Sequence, residues 1–338
     1  MPDVLTRLAY ARRVATGESY QTAREALVRD RGAGALPAAT GAQALLESMA
    51  LRCLGIGEEF WAHPMGIASV RPAPDRVTVE LDAFTSSPYY PGRFYGRAEH
   101  AGRCLLPHAQ HGDMHGMVGL RIVELRGLDL HVTLVGTASR MILRGARGAG
   151  WRGQLRLYQQ STSASGFEAL YQEPHLTEAE VEHLEYYPEE SERDRELAWL
   201  GSGLLRRIGL FRSATAAFAV RPWVDEFDEW NVELSYPFTT TMDHAPLLAG
   251  LTDRRLGLPL RVRSTTCHCA EPRSATDQRR RVCRIELVHR DELPGVLQLR
   301  FTSEPAGWDA SGPRQRLASA GADPRWLDRV LPAVAGGR

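Results

Sequence analysis

The sequence predicts an α+β fold. A tandem duplicated unit, each copy one helix followed by about five mostly antiparallel strands, stands behind a short N-terminal helical hairpin. Three observations predict this. Four short matches recur in the same order in the two halves of the 338-residue chain. Segments such as RVTVELDAF, LRIVELRG and WNVELSY alternate apolar and polar residues at period two, as half-buried strands do. The N-terminal segment instead repeats its apolar residues at helical spacing. A helix followed by antiparallel strands is expected to lie on one face of their sheet, so two such units should pack side by side with approximate twofold symmetry.

Residues 4 to 31 read as two helices. LTRLAYARRVA ends at Thr16-Gly17, and Ser19 is placed to cap YQTAREALVRD. The pattern LA…ATGES…A…AL resembles the helix pair of ribbon-helix-helix antitoxins and repressors, in which a strand before the first helix reads DNA. Only MPD precedes the helix here, so the resemblance implies a helical hairpin that docks a partner or packs as an arm, without the reading strand. RGAGALPAATG, residues 31 to 41, is a linker.

The first match aligns LLESMALRCLGIG (45–57) with WLGSGLLRRIGLF (199–211), pairing Leu46 with Leu200, Ser48 with Ser202, Leu51 with Leu205, Arg52 with Arg206 and Gly55 with Gly209. SVRP (69–72) then matches AVRP (219–222), and VELDAFTSS (79–87) matches VELSYPFTTT (232–241). Last, Cys104 precedes Arg121-Ile122 by the interval that separates Cys267 from Arg284-Ile285. LRIVELRG and DLHVTLVG form a hairpin across Gly127; WNVELSY, LPLRVRSTT, CRIELVH and VLQLRFTS supply strands of the second copy. Between the copies, acidic LTEAEVEHLEYYPEESERDRE is a solvated helical connector capped by Thr177 and turned at Pro188, and PRWLDRVLPAVA adds a last helix. The expected divisions are 1–37 (hairpin and linker), 38–160 (first repeat), 161–198 (connector), 199–303 (second repeat) and 304–338 (tail).

Forty-one basic and 41 acidic residues cancel, so no global charge draws the chain to nucleic acid or a membrane surface. All the basic residues are arginine. That excludes a Schiff-base lysine, a lysine general base and the nucleotide P-loop. Five cysteines form a sparse, odd set unlike a disulfide framework, and no apolar run is long enough to span a membrane. A cytoplasmic protein without a membrane partner is expected.

Three stretches carry candidate chemistry. CLLPHAQHGDMHG (104–116) gathers Cys104, His108, His111 and His115 as ligands for a divalent metal such as zinc, with Asp113 as an orienting group or catalytic base. Its counterpart CHCAEPRSATDQRRRVCR (267–284) keeps a cysteine but not the histidines; Cys267 and Cys269, at i and i+2, could act together. SSPYYPGRFYGR (86–97) presents Tyr89, Tyr90, Arg93, Phe94, Tyr95 and Arg97 as a partner-binding loop, while its counterpart retains Asp243 and His244. Arg152 and Arg156, in an acid-free stretch with Trp151 and Tyr158, are further partner-binding candidates, and arginine is dense again between 254 and 284. GAGWRG (148–153) matches a dinucleotide fingerprint but leads into QLRLYQQ, which reads as a strand.

These features are expected to serve a non-catalytic binding protein that grips a macromolecular partner, most simply a protein, through loops and the inter-repeat groove. A metal-assisted hydrolase built on His108, His111 and His115 is the alternative, and a nucleic-acid-binding factor using the arginine clusters is a second one.

Overall fold

The structure, a computed structural model, describes residues 3–30, 34–55, 63–82, 84–86, 94–111, 113–145, 151–269, 271, 279–319 and 322–331. The N-terminal hairpin forms where its caps dictate. Helix α1 (Val4–Thr16) starts with the Asp3 carboxylate accepting from the Thr6 amide at 2.6 Å and stops at Gly17, whose φ of 78° is left-handed. Helix α2 (Tyr20–Arg29) starts at Ser19, whose hydroxyl accepts from the Thr22 amide. Buried Arg12 ties the hairpin to the body: it pairs with Glu18 at 2.8 Å and donates to the Pro72 carbonyl at 3.2 Å.

The first unit runs α3 (Gly41–Gly55), β1 (Ile67–Ala73), β2 (Arg76–Leu81), β3 (Phe84–Ser86), β4 (Phe94–Gly96), α4 (Arg97–Leu105), β5 (His108–Gln110), β6 (Asp113–His115), β7 (Leu120–Arg126), β8 (Asp129–Leu134), β9 (Met141–Arg144), α5 (Trp151–Ala164) and β10 (Glu168–Ala169). The connector forms α6 (Glu178–Tyr186) and α7 (Pro188–Glu196). Thr177 caps α6 in a full capping box with Glu180, and Pro188 opens α7. The second unit runs α8 (Ala198–Leu205), β11 (Ala219–Val224), β12 (Glu229–Tyr236), α9 (Ala245–Thr252), β13 (Leu260–Thr266), β14 (Arg281–His289) and β15 (Val296–Ser303), followed by α10 (Ser311–Ser319) and α11 (Pro324–Val330). Among the described residues no helix is long and apolar enough to cross a membrane.

Each unit builds a five-stranded sheet with the same connectivity. The orders are β1-β2-β9-β8-β7 and β11-β12-β15-β14-β13. In each, the second and last strands run parallel and every other pair is antiparallel. The edge strand of each sheet also breaks register in its middle, between Ile122 and Glu124 in β7 and between Val262 and Ser264 in β13. Two such similar sheets are compatible with a tandem duplication. The first unit carries additions between and after its shared strands: β5, β6 and β10 form a three-stranded sheet, and β3 pairs with β4.

Helices α3 and α8 are the layer between the two sheets. Most of α3 is buried on every side, as a helix covered on both flanks must be. One core cluster joins Leu46, Leu51 and Leu54 of α3, Leu200 and Leu204 of α8, and the inner faces of both sheets, including Val79, Val132, Val232 and Leu299. The helices cross where Gly201 faces Ser48; a side chain at Gly201 would sit 2.1 Å from the Ser48 hydroxyl. Beside this crossing Glu47 and Arg206, both fully buried, form a two-pronged ion pair with contacts of 2.6 and 2.7 Å. Ser202 and Gln43 donate to the same carboxylate at 2.7 Å each, and Arg206 also donates to the Pro37 carbonyl. A buried charge pair is tolerated only when its remaining hydrogen-bonding capacity is met in this way.

Two expectations are corrected. QLRLYQQ is not a strand but the body of α5, whose buried positions Trp151, Tyr158 and Thr162 recur at helical spacing; the Trp151 indole donates to the Leu143 carbonyl at 2.9 Å. Trp151, Arg152 and Gly153 of GAGWRG therefore lie in a helix, yet β10 beyond it joins a different sheet, antiparallel to β5, so the parallel crossover of a dinucleotide fold is not formed. The fourth match is also displaced by one strand. Arg121-Ile122 lies on the edge strand β7, whereas Arg284-Ile285 lies on β14, the counterpart of β8. Cys104, at the end of α4 and before β7, is thus not equivalent to Cys267, which follows β13.

Candidate metal centre

Four potential ligands converge at the edge of the second sheet. His244 is the residue before α9, with Pro246 fixing the first turn. Cys267 and Cys269 follow β13 as the chain leaves the sheet, and Cys283 points into the core from β14 beside Phe301 of β15. The hairpin pairing of β13 with β14 brings the cysteines together, and α9 packs its N-terminal end against them.

The donor atoms of His244, Cys267, Cys269 and Cys283 all lie within 4.8 Å of one another. Cys269 Sγ is 3.4 Å from His244 Nε2 and 3.4 Å from Cys283 Sγ, and Cys283 Sγ is 3.8 Å from Cys267 Sγ. Tetrahedral zinc with Zn–S near 2.3 Å and Zn–N near 2.0–2.1 Å has edges of about 3.8 Å (S···S) and about 3.5 Å (S···N). The three distances of 3.4, 3.4 and 3.8 Å lie close to those edges, so the group could hold one ion.

The electrostatics fit the same reading. Burial, with two other sulfurs at contact distance, pushes the Cys269 thiol up, and burial raises Cys283 as well. The Cys269 amide, donating to Cys267 Sγ at 3.5 Å, lowers the Cys267 thiol. The His268 amide donates to Cys283 Sγ at 3.2 Å. Three sulfurs this close resist ionising together, and a divalent cation among them removes that resistance. Burial also lowers the His244 pKa, favouring the neutral imidazole that ligates metals. Its ring rests on Phe301 with centroids 4.2 Å apart. Cys267 is exposed and Cys283 buried, so the group opens to solvent on one side.

The histidine-rich loop is arranged differently. It folds into the β5–β6 hairpin, with exposed His111 at the turn in a left-handed conformation (φ 51°). His108 and His115 are cross-strand partners with stacked rings 5.2 Å apart, both edged by Phe167. His108 Nδ1 lies 2.7 Å from the Tyr158 hydroxyl and 3.0 Å from the Leu106 carbonyl, and burial lowers its pKa. Asp113 is exposed on β6, and Cys104 lies on α4 with its sulfur 3.1 Å from His100 Nε2. These residues do not gather: among the described residues, the one group of three or more potential ligands this close is the His244 group.

Of the predicted partner-binding residues, Tyr89, Tyr90 and Arg93 lie outside the described residues; Phe94 and Tyr95 fall in β4, and Arg97 opens α4. Arg152 and Arg156 are exposed one turn apart on α5 and line a groove of about 400 Å³ with Leu125 and Tyr171. Other arginines in the dense stretches are paired within the chain: Arg144 with Asp129 at 2.7 Å, Arg263 with Glu286 at 3.0 Å and Arg280 with Glu304 at 3.0 Å.

Comparison with known proteins adds no relative: no family model, no curated protein and no solved structure matches the chain.

Proposed function

We propose that this is a zinc-stapled, non-catalytic binding protein. The observation that carries the reading is the set of four donors, three thiols and one imidazole, all within 4.8 Å of one another. Thiolate-rich sets favour zinc, copper(I) or iron–sulfur clusters, and three cysteines with one histidine around a single point suit one zinc ion. Catalytic zinc keeps a coordination position open for water, whereas a set of four protein ligands is structural. The metal ties α9 to the ends of β13 and β14. The binding role draws support from the paired units themselves and from the exposed Arg152–Arg156 groove on α5, whose guanidinium groups suit an acidic protein surface.

Crosslinking capture from the native host, with wild-type protein and an Arg152→Glu/Arg156→Glu variant side by side, tests the binding role. A protein retained by the wild type and lost by the variant supports it. Capture that is the same for both, or no better than background, counts against the α5 groove as the gripping surface.

A further inference from the structure

A cavity of about 300 Å³ lies where three distant parts of the chain meet. They are the 3-10 turn Pro64–Gly66, the 3-10 helix Ile208–Ser213 with the start of β11, and α11. Its walls are largely apolar, with Phe211, Phe218 and Trp326 supplying aromatic surface. Its ionisable groups are His63, Arg212, Arg329 and Asp323. An apolar pocket with a few convergent polar groups at a junction of elements is the common form of a small-molecule site.

Three features show that the polar side is organised. His63 Nδ1 is 2.5 Å from Asp82 Oδ1, with the Asp82 side chain 13% exposed, so the carboxylate fixes the imidazole and leaves Nε2 as its other bonding atom. The turn that carries His63 is held in an uncommon conformation: Met65 is fully buried with φ 55° although it is not glycine. Such strain persists only where surrounding structure imposes it, and it clusters at binding sites.

Arg212 is the third feature. It donates to the Ala68 carbonyl, but among the described residues no carboxylate lies within ion-pair distance of it. Arg212 is exposed to solvent, and the partial burial of its guanidinium lowers its pKa in spite of the neighbouring Asp82 charge. Asp323, exposed at the cavity rim, caps α11, its carboxylate accepting from the Arg325 amide at 2.9 Å.

We infer that this cavity binds a small organic carboxylate with an aromatic body, its carboxylate on Arg212, Arg329 and His63 and its ring against Phe211, Phe218 and Trp326. Two guanidinium groups and a carboxylate-held imidazole select an anion over a neutral or cationic molecule of the same shape. The site is independent of the metal centre, since none of the four metal ligands lines the cavity.

Phenylacetate is the probe, with benzyl alcohol and benzylamine as neutral and cationic analogues. Each is titrated into the 338-residue chain labelled with fluorotryptophan, and fluorine NMR follows the Trp326 signal, assigned with a Trp326→Phe variant. The expected result is a saturable shift with phenylacetate at a Kd on the order of 1 mM or tighter, with benzyl alcohol roughly tenfold weaker or more and benzylamine inactive. Arg329→Gln, at an exposed helix position, should weaken phenylacetate roughly tenfold while leaving the fold intact; Arg212→Gln should do the same if it folds. No saturable shift, equal affinity for benzyl alcohol, or unchanged affinity in Arg329→Gln would overturn the assignment.

Discussion

Replacing Gly201 by alanine adds one methyl group where α3 and α8 cross. An ideal Cβ there lies 2.1 Å from Ser48 Oγ, 2.8 Å from Ser48 Cβ and 2.6 Å from Trp230 Cζ2. The Ser48 hydroxyl can rotate away. Its Cβ cannot, and the Trp230 ring, 1% exposed, has no room to retreat. Two effects oppose each other. Glycine to alanine inside a helix gains about 1 kcal/mol. Overpacking a filled core costs about 1–3 kcal/mol, and three contacts this short place the cost near the upper end. The net expectation is a loss of about 2 kcal/mol, read in urea unfolding as a lower midpoint at unchanged m-value. Adding Ser48→Gly removes two of the three contacts and should recover part of that loss, a coupling between the two sites. If Gly201→Ala instead stabilises the protein by about 1 kcal/mol, the helices do not meet there and the paired-unit packing described above is wrong.

Other expectations follow from the buried charges. Glu47→Gln leaves Arg206 buried without its countercharge and should cost about 3–5 kcal/mol, whereas replacing both residues by leucine and methionine should cost less than either single change; a loss under about 1 kcal/mol for Glu47→Gln would contradict the ion-pair account. Burial alone would raise the Glu180 carboxyl, but the bonds from Arg121, Thr177 and Gly119 outweigh it and hold the pKa below its usual value. A depressed carboxyl contributes stability above its unfolded pKa, near about 4.3, and loses that contribution as pH falls through the folded value. The stability gap between wild type and Glu180→Gln should therefore be widest at neutral pH and shrink on acidification; a gap constant with pH would contradict this. Thr177→Ala should cost about 1 kcal/mol in the same assay through loss of the α6 cap.

Much of the fold is legible in local chemistry. Gly17, Ser19 and Thr177 each punctuate a helix as their side chains or backbone freedom require. Period-two alternation finds the central strands because one face of each sheet meets the helix layer and the other meets water. It fails at QLRLYQQ, where Leu155 and Leu157 mimic a strand while the anchoring residues, Trp151 and Tyr158, lie a helical interval apart. The order of similar segments reveals two units, but short matches such as RIVEL and RIEL cannot tell an edge strand from its neighbour, because both alternate alike.

The candidate metal centre is less legible for a topological reason. Crowding in sequence draws attention to CLLPHAQHGDMHG, yet that stretch closes as a tight hairpin whose residues bond to Tyr158, Leu106 and His100. The four converging ligands are spread from His244 to Cys283, and only the pairing of β13 with β14 and the placement of α9 unite them. The available signals were the Cys267-x-Cys269 pair and a retained His244; the third cysteine joins them only across a strand pair.

Elemental analysis of protein purified without a histidine tag tests the central claim most directly. One zinc per chain is expected, with Cys283→Ser and His244→Ala variants retaining much less, while a His108→Ala/His115→Ala variant keeps the full amount. Protein that folds without stoichiometric zinc, or that loses its zinc through the His108 and His115 changes instead, would contradict the account.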